Sequence, residues 1–178
     1  MLIGVLALQG AVSEHCLALD SLKVSNIKVR NADDIRKING LIMPGGESTT
    51  LRKLLVNANL WNVIKDSNVP IMGTCAGAIL LGKNKEETFE KMDCVIDRNF
   101  YGRQIDSFEE NLDIDNYPNF RGVFIRAPAI TDIGKTTPIA YCKGNVVGCI
   151  EGKNMALTFH PELTGDSYFH KMWINALD

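Results

Sequence analysis

The sequence predicts an α/β fold, with three layers: a mostly parallel central sheet, helices on both of its faces, and antiparallel strands added late in the chain. Three observations predict it. Short apolar runs alternate with helix-period patterns through the first half. Each of these runs ends at a glycine-containing turn. The second half changes to closely spaced strand-like runs.

Residues 2–8 are apolar and stop at Gln9-Gly10, which reads as a buried strand and its turn. Residues 13–22 carry Leu17, Leu19 and Leu22 at helical spacing. Leu41-Ile42-Met43 is the next strand, closed by Pro44-Gly45-Gly46. Ser48 or Thr49 is expected to cap the helix that follows, with Leu51, Leu54 and Leu55 on its apolar face. Residues 69–72 give a third strand, 73–77 a tight turn, and 78–81 a segment apolar enough to require burial. Strands are then expected at 94–96, 123–125, 139–142, 146–150 and 156–159, with Lys143-Gly144-Asn145 as a hairpin turn. A last helix covers 167–177. No repeat or linker interrupts the order, so one domain over 1–178 is expected.

The composition supports an ordinary soluble protein. With 178 residues the chain is long enough to bury a core. Its 46% hydrophobic and 22% charged residues fit a globular domain. A formal net charge of −2 and the lack of a Lys/Arg block argue against nucleic acid or an anionic membrane as partner. The apolar runs are too short to span a bilayer, and the first run lacks a positive leader, so a cytoplasmic location is expected. The five cysteines are Cys16, Cys75, Cys94, Cys142 and Cys149. An odd number without C-x-x-C spacing argues against a disulfide framework and against a zinc site. Four of them read as small buried hydrophobes.

Cys75 is the exception. Gly73-Thr74-Cys75-Ala76-Gly77 is a G-x-C-x-G turn between an apolar strand and an apolar helix, the thiol version of a nucleophile elbow. Small flanking residues let the chain turn sharply, and the helix start favours a thiolate. The Ala76 amide is then placed for a developing oxyanion, and a Gly46 amide from Pro44-Gly45-Gly46 can complete the hole. A thiolate nucleophile needs an imidazole. His15 and His170 fall on predicted helices and read as surface or partly buried residues. His160 ends a strand-like run and precedes Pro161-Glu162, which holds the chain extended. In an extended segment, positions two apart share a side, so Glu162 can orient His160.

Together these segments resemble the class I glutamine amidotransferases, whose triad is Cys, His and Glu in that chain order. They resemble more closely the glutaminase subunit of pyridoxal 5′-phosphate synthase, the PdxT family. The resemblance is carried by Leu8-Gln9-Gly10-Ala11-Val12 with Glu14-His15, by Pro44-Gly45-Gly46-Glu47-Ser48-Thr49-Thr50, and by the Cys75 turn. It continues through Arg98-Asn99, Gly102-Arg103-Gln104 and Asp106-Ser107-Phe108-Glu109. It ends with Phe124-Ile125-Arg126-Ala127-Pro128 and Phe159-His160-Pro161-Glu162-Leu163-Thr164.

The resemblance implies a flavodoxin-like sheet and the triad Cys75, His160, Glu162. It implies an L-glutamine site lined by Gly46, Glu47, Ser48, Arg98, Ile125 and Arg126, with Gly46 and Ala76 as the oxyanion hole. It implies hydrolysis of glutamine to glutamate and ammonia without a metal or cofactor. The ammonia is expected to pass to a synthase subunit of the PdxS family, in a large hetero-oligomer that makes pyridoxal 5′-phosphate. Gln9-Gly10-Ala11 and the helix bearing His15 are the expected interface, and docking is expected to order the oxyanion hole. The glutaminase of imidazole glycerol phosphate synthase is disfavoured by Gly102-Arg103-Gln104 with Asp106-Ser107-Phe108-Glu109. A DJ-1/PfpI-like hydrolase is disfavoured because Ala76, not His, follows the nucleophile. The intact trio Cys75, His160 and Glu162 argues against a non-catalytic binding module on the same fold.

Overall fold

A computed structural model describes residues 1–98 and 107–178. The first strand, β1 (Leu2–Leu6), leads into α1 (Val12–Ser21), and β2 (Ser25–Val29) into α2 (Ala32–Ile35). Next come β3 (Gly40–Met43), α3 (Ser48–Asn57), α4 (Trp61–Asp66), β4 (Ile71–Thr74) and α5 (Ala76–Leu81). Short strands follow: β5 (Val95–Asp97), β6 (Phe108–Asn111), β7 (Arg121–Phe124) and β8 (Ala129–Asp132). The chain closes with β9 (Thr137–Cys142), β10 (Asn145–Glu151), β11 (Asn154–Leu157), a 3-10 turn (Pro161–Leu163) and α6 (Tyr168–Leu177).

Seven strands form the central sheet in the order β2-β1-β3-β4-β11-β10-β9. β2, β1, β3, β4 and β11 are parallel. β10 and β9 run antiparallel to their neighbours, as expected of late additions. Both β3 and β4 are buried at every position. That is why they read as continuous apolar runs and not as alternating ones. The pleat sends alternate side chains to opposite faces. Ile42 and Met72 join one core with Leu19, Phe169 and Trp173, from α1 and α6. Leu41, Met43 and Ile71 join the other with Leu51, Leu55, Trp61 and Ile64, from α3 and α4. The result is the expected three-layer arrangement. β5–β8 and β6–β7 make two further two-stranded sheets.

Three local expectations are corrected. The cap of α3 is Glu47, not Ser48 or Thr49. Its carboxylate accepts the Thr49 and Thr50 amides at 3.0 and 2.6 Å, so a longer acidic side chain fills the role of a short hydroxyl. The chain after His160 does not stay extended; Pro161 opens a 3-10 turn. β2, β6 and β8 were hidden because their polar residues face solvent beside few apolar ones. The hairpin between β9 and β10 turns as expected, with Lys143 and Gly144 both at positive φ.

Four neighbouring parallel strands end on one side of the sheet, as the order β1-β3-β4-β11 requires. The turns after them carry Gln9-Gly10, Pro44-Gly45-Gly46, Cys75 and His160. The turn at Cys75 depends on close backbone packing. A Cβ at Gly73 would lie 2.6 Å from the Gly77 carbonyl group, and one at Gly77 would lie 2.0 Å from the Met43 carbonyl oxygen. Gly77→Ala should therefore destabilise the fold by on the order of 2–3 kcal/mol. A lower urea midpoint with an unchanged m-value would register this.

Candidate active site

Cys75 links β4 to α5 at φ 49° and ψ −106°, a backbone conformation that a non-glycine residue rarely adopts. Two backbone bonds hold it there. Its N–H donates to the Leu157 carbonyl of β11 at 2.8 Å, and its own carbonyl accepts from Ile79 at 3.2 Å. All six residues of α5 are buried, so the small Ala76, Gly77 and Ala78 let the helix pack directly on the strand ends. The sulfur is 3.9 Å from the Ile125 carbonyl oxygen.

His160 follows β11, the strand beside β4. Its backbone N–H donates to the Val123 carbonyl at 2.8 Å, which ties the turn to β7. Its ring nitrogen Nδ1 lies 2.7 Å from Glu162 Oε1, which leaves Nε2 for the sulfur. The pair is buried. Burial works against an imidazolium at His160. The hydrogen bonds to Cys75 and Glu162, and the charges of both, overcome it and raise His160 to about 10. The 3-10 turn achieves what an extended segment was expected to do: Pro161 fixes the direction of the chain, and Glu162 folds back under the ring.

The glycine turn after β3 is shaped by its neighbours. A Cβ at Gly45 would sit 2.4 Å from His160 Cε1 and 3.1 Å from Cys75 Cβ. Gly45 is thus the floor on which the imidazole lies. The Gly45 carbonyl oxygen faces Gly10, where a Cβ would come within 2.3 Å of it. Across this trans peptide the Gly46 N–H points the opposite way, away from Gly10. Gln9 packs against Gly46 and donates from Nε2 to the Glu47 carbonyl at 3.0 Å.

The other expected substrate residues fall in two groups. Glu47 and Arg98 form an ion pair at 3.2 Å, and Arg98 also reaches Glu86 at 3.2 Å and the Thr49 hydroxyl. Burial pushes the Glu47 carboxyl up, but hydrogen bonds from Thr50 and Thr49 outweigh it and hold it at about 2. Its side chain is therefore occupied as a cap and a partner for Arg98. Ser48 is buried at the first position of α3. Ile125 and Arg126 are exposed beyond β7, with Arg126 at φ 45°. Asn99, Gly102-Arg103-Gln104 and Asp106 lie outside the described residues.

The sequence reading did not anticipate His15 and His170. Both are fully buried. His15 Nε2 is 3.4 Å from Glu162 Oε2, and His15 Nδ1 is 2.9 Å from His170 Nε2. On α1 the polar spacing hid this, since exposed Leu17 and buried His15 reverse the usual pattern. The neighbouring Glu14-His15 pair in the motif was the available signal.

The raised His160 contributes stability fully present below its ordinary value of 6.5 and lost as pH rises through about 10. Urea denaturation of wild type against His160→Gln, from pH 6 to 10, should show the difference between them shrinking over that window. A difference that stays constant with pH would contradict this.

A profile of the SNO glutamine amidotransferase family matches residues 5–178. A relative from Methanocaldococcus jannaschii, named pyridoxal 5′-phosphate synthase subunit PdxT, is 45% identical over 173 residues, covering 94% of this chain and 93% of the relative. Another of that name, from Oenococcus oeni, is 44% identical over 180 residues, covering 97% of this chain and 94% of the relative. A crystal structure of a glutamine amidotransferase superposes with a TM-score of 0.89 at 36% identity, covering 98% of both chains. With this match over nearly its whole length, the chain belongs to the SNO glutamine amidotransferase family.

Proposed function

We propose that this chain is the glutaminase of a pyridoxal 5′-phosphate synthase, acting through a γ-glutamyl thioester on Cys75. The observation that carries the reading is the placement of Cys75 and the His160–Glu162 pair on adjacent strand ends, with Gly45 packed against both the imidazole and the Cys75 side chain.

His160, protonated at neutral pH, keeps Cys75 as a thiolate through Nε2–H, and the sulfur attacks the side-chain amide carbon of glutamine. The oxyanion is held by the Gly46 and Ala76 amides, each such donor being worth about 3 kcal/mol. His160 then protonates the departing nitrogen, the C–N bond breaks, and ammonia leaves the thioester. Water, deprotonated by His160, attacks the thioester carbonyl. Glutamate is released and Cys75 is restored. Glu162 accepts the His160 Nδ1–H throughout and keeps Nε2 aimed at the sulfur.

Gly46, Glu47, Ser48, Arg98, Ile125 and Arg126 form the glutamine site in this reading. An Arg fork suits the planar α-carboxylate. Arg126 is the better placed of the two, because Arg98 already faces the carboxylates of Glu47 and Glu86. The partner is a synthase subunit that consumes the ammonia, as the name of the two relatives suggests. Gln9, Gly10 and the exposed residues of α1, Glu14 and Leu17 among them, are the proposed docking surface. His15 is excluded from direct contact by its burial. Among the described residues no helix is long and apolar enough to cross a membrane.

The deciding assay is ammonia and glutamate release from glutamine, with and without the synthase subunit. Turnover should require the partner and vanish in Cys75→Ala; equal rates with and without partner would remove the docking step from the reading. Gly45→Ala should leave the chain folded but lower kcat by roughly 100-fold or more, since the new methyl displaces His160. Near-normal kcat in that variant would mean that the imidazole does not need this floor.

A further inference from the structure

The chain has three histidines, and all three lie in one buried row with Glu162. The chemistry above uses only His160. His170, on α6, places Nε2 2.9 Å from Nδ1 of His15 on α1. His15 places Nε2 3.4 Å from Glu162 Oε2 and 3.4 Å from the Thr74 hydroxyl. Glu162 Oε1 lies 2.7 Å from His160 Nδ1. The Glu162 Oε2 atom makes no hydrogen bond among the described residues, and His15 Nε2 is the N–H-bearing atom beside it.

We propose that His15 and His170 are positioning residues for the triad, a row of N–H donors that runs from α6 through α1 and ends on the second oxygen of Glu162. This rests on the glutaminase reading for its effect on rate, but not for its geometry.

The direction of the row follows from which atoms lack partners. Burial lowers both His15 and His170, His170 to about 4, so both rings are neutral and each carries one N–H. If His15 carried its proton on Nδ1, its bare Nε2 would turn a lone pair toward the carboxylate oxygen. His170 would then carry its proton on Nδ1, a buried donor with no partner. An unpaired buried N–H is destabilising by about 1–3 kcal/mol. With Nε2–H on both rings, His170 donates to His15, and His15 donates toward Glu162 and Thr74. At His170 this leaves over a lone pair on Nδ1 and no buried N–H. At 3.4 Å the last contact is long for a hydrogen bond, so it guides the carboxylate without gripping it.

The row sets an N–H beside one carboxylate oxygen as His160 uses the other. Rotation of Glu162 would break the His160 bond and move Oε2 away from His15. The groups facing it are His160 from the end of β11, His15 from α1 with His170 of α6 behind it, and Glu14 and Asp166, which border the shallow cavity of about 220 Å³ that Glu162 also lines.

The test has two parts. The full-length chain, labelled with ¹⁵N-histidine, gives only three imidazoles to assign by long-range ¹H–¹⁵N spectra. His15 and His170 should both be neutral with the proton on Nε2 from pH 6 to 8. A proton on Nδ1 of His15, or a titration of either ring in that range, would overturn the row. This holds even if glutamine proves to be the wrong substrate, so the two readings fail separately.

The second part is the kinetics of the complex with the synthase subunit. His15→Leu should lower kcat about ten-fold or more with little change in the KM for glutamine. His15→Gln keeps an N–H near the Nε2 position and should recover most of the loss. A folded His15→Leu variant with wild-type kcat would overturn the proposal. So would an equal loss in His15→Gln and His15→Leu.

Discussion

The approach of Gly77 to the Met43 carbonyl is the contact on which the rest of the site depends. It brings the end of β3 against the start of α5, so the turn between β4 and α5 has no room to relax. Cys75 is forced to positive φ, and its N–H is delivered to the Leu157 carbonyl of β11. The glycine turn, the cysteine and the histidine thus sit on three consecutive parallel strands, at spacings set by the sheet ladder. Strand spacing is a stiff quantity, about 4.8 Å. A site mounted this way owes its geometry to the rigid part of the fold, and its surroundings can vary in the loops beyond.

Electrostatics adds a second constraint. An imidazolium inside the core is unfavourable unless charge of the opposite sign is close and hydrogen-bonded. Here Cys75 and Glu162 flank His160 on two sides, and their effect exceeds that of burial. His15 and His170 are buried still more deeply, and the one carboxylate beside them, Glu162, stands 3.4 Å from His15, so burial pushes both toward the neutral form. The same residue type takes opposite charge states within one hydrogen-bonded row, and the distance to a carboxylate decides which.

Much of this was legible in the residues. The parallel strands showed because burial on both faces makes their runs continuously apolar, and the G-x-C-x-G spacing showed because a tight elbow tolerates only small neighbours. The pairing of His160 with Glu162 was visible for a partly wrong reason: separation by two along an extended chain was the expectation, and a 3-10 turn begun by Pro161 is what brings them together. The cap at Glu47 was missed because short hydroxyls are the commoner choice. β2, β6 and β8 carry too few apolar residues to stand out. The burial of His15 and His170 depends on contacts across 155 positions of sequence, which no local pattern encodes.

Placing every histidine inside has a consequence for the outside. Arg, Lys, Asp and Glu side chains keep a constant charge near neutrality, and imidazole is the side chain whose ordinary value lies there. With His15, His160 and His170 all buried, the outer face of the molecule has no imidazole to respond to a modest change in acidity. Over about pH 6 to 8 its electric field is set mainly by side chains of constant charge. This chain's part in the encounter with a charged partner would then follow ionic strength more than proton concentration, and its own side-chain response to acidity would be a report from its interior.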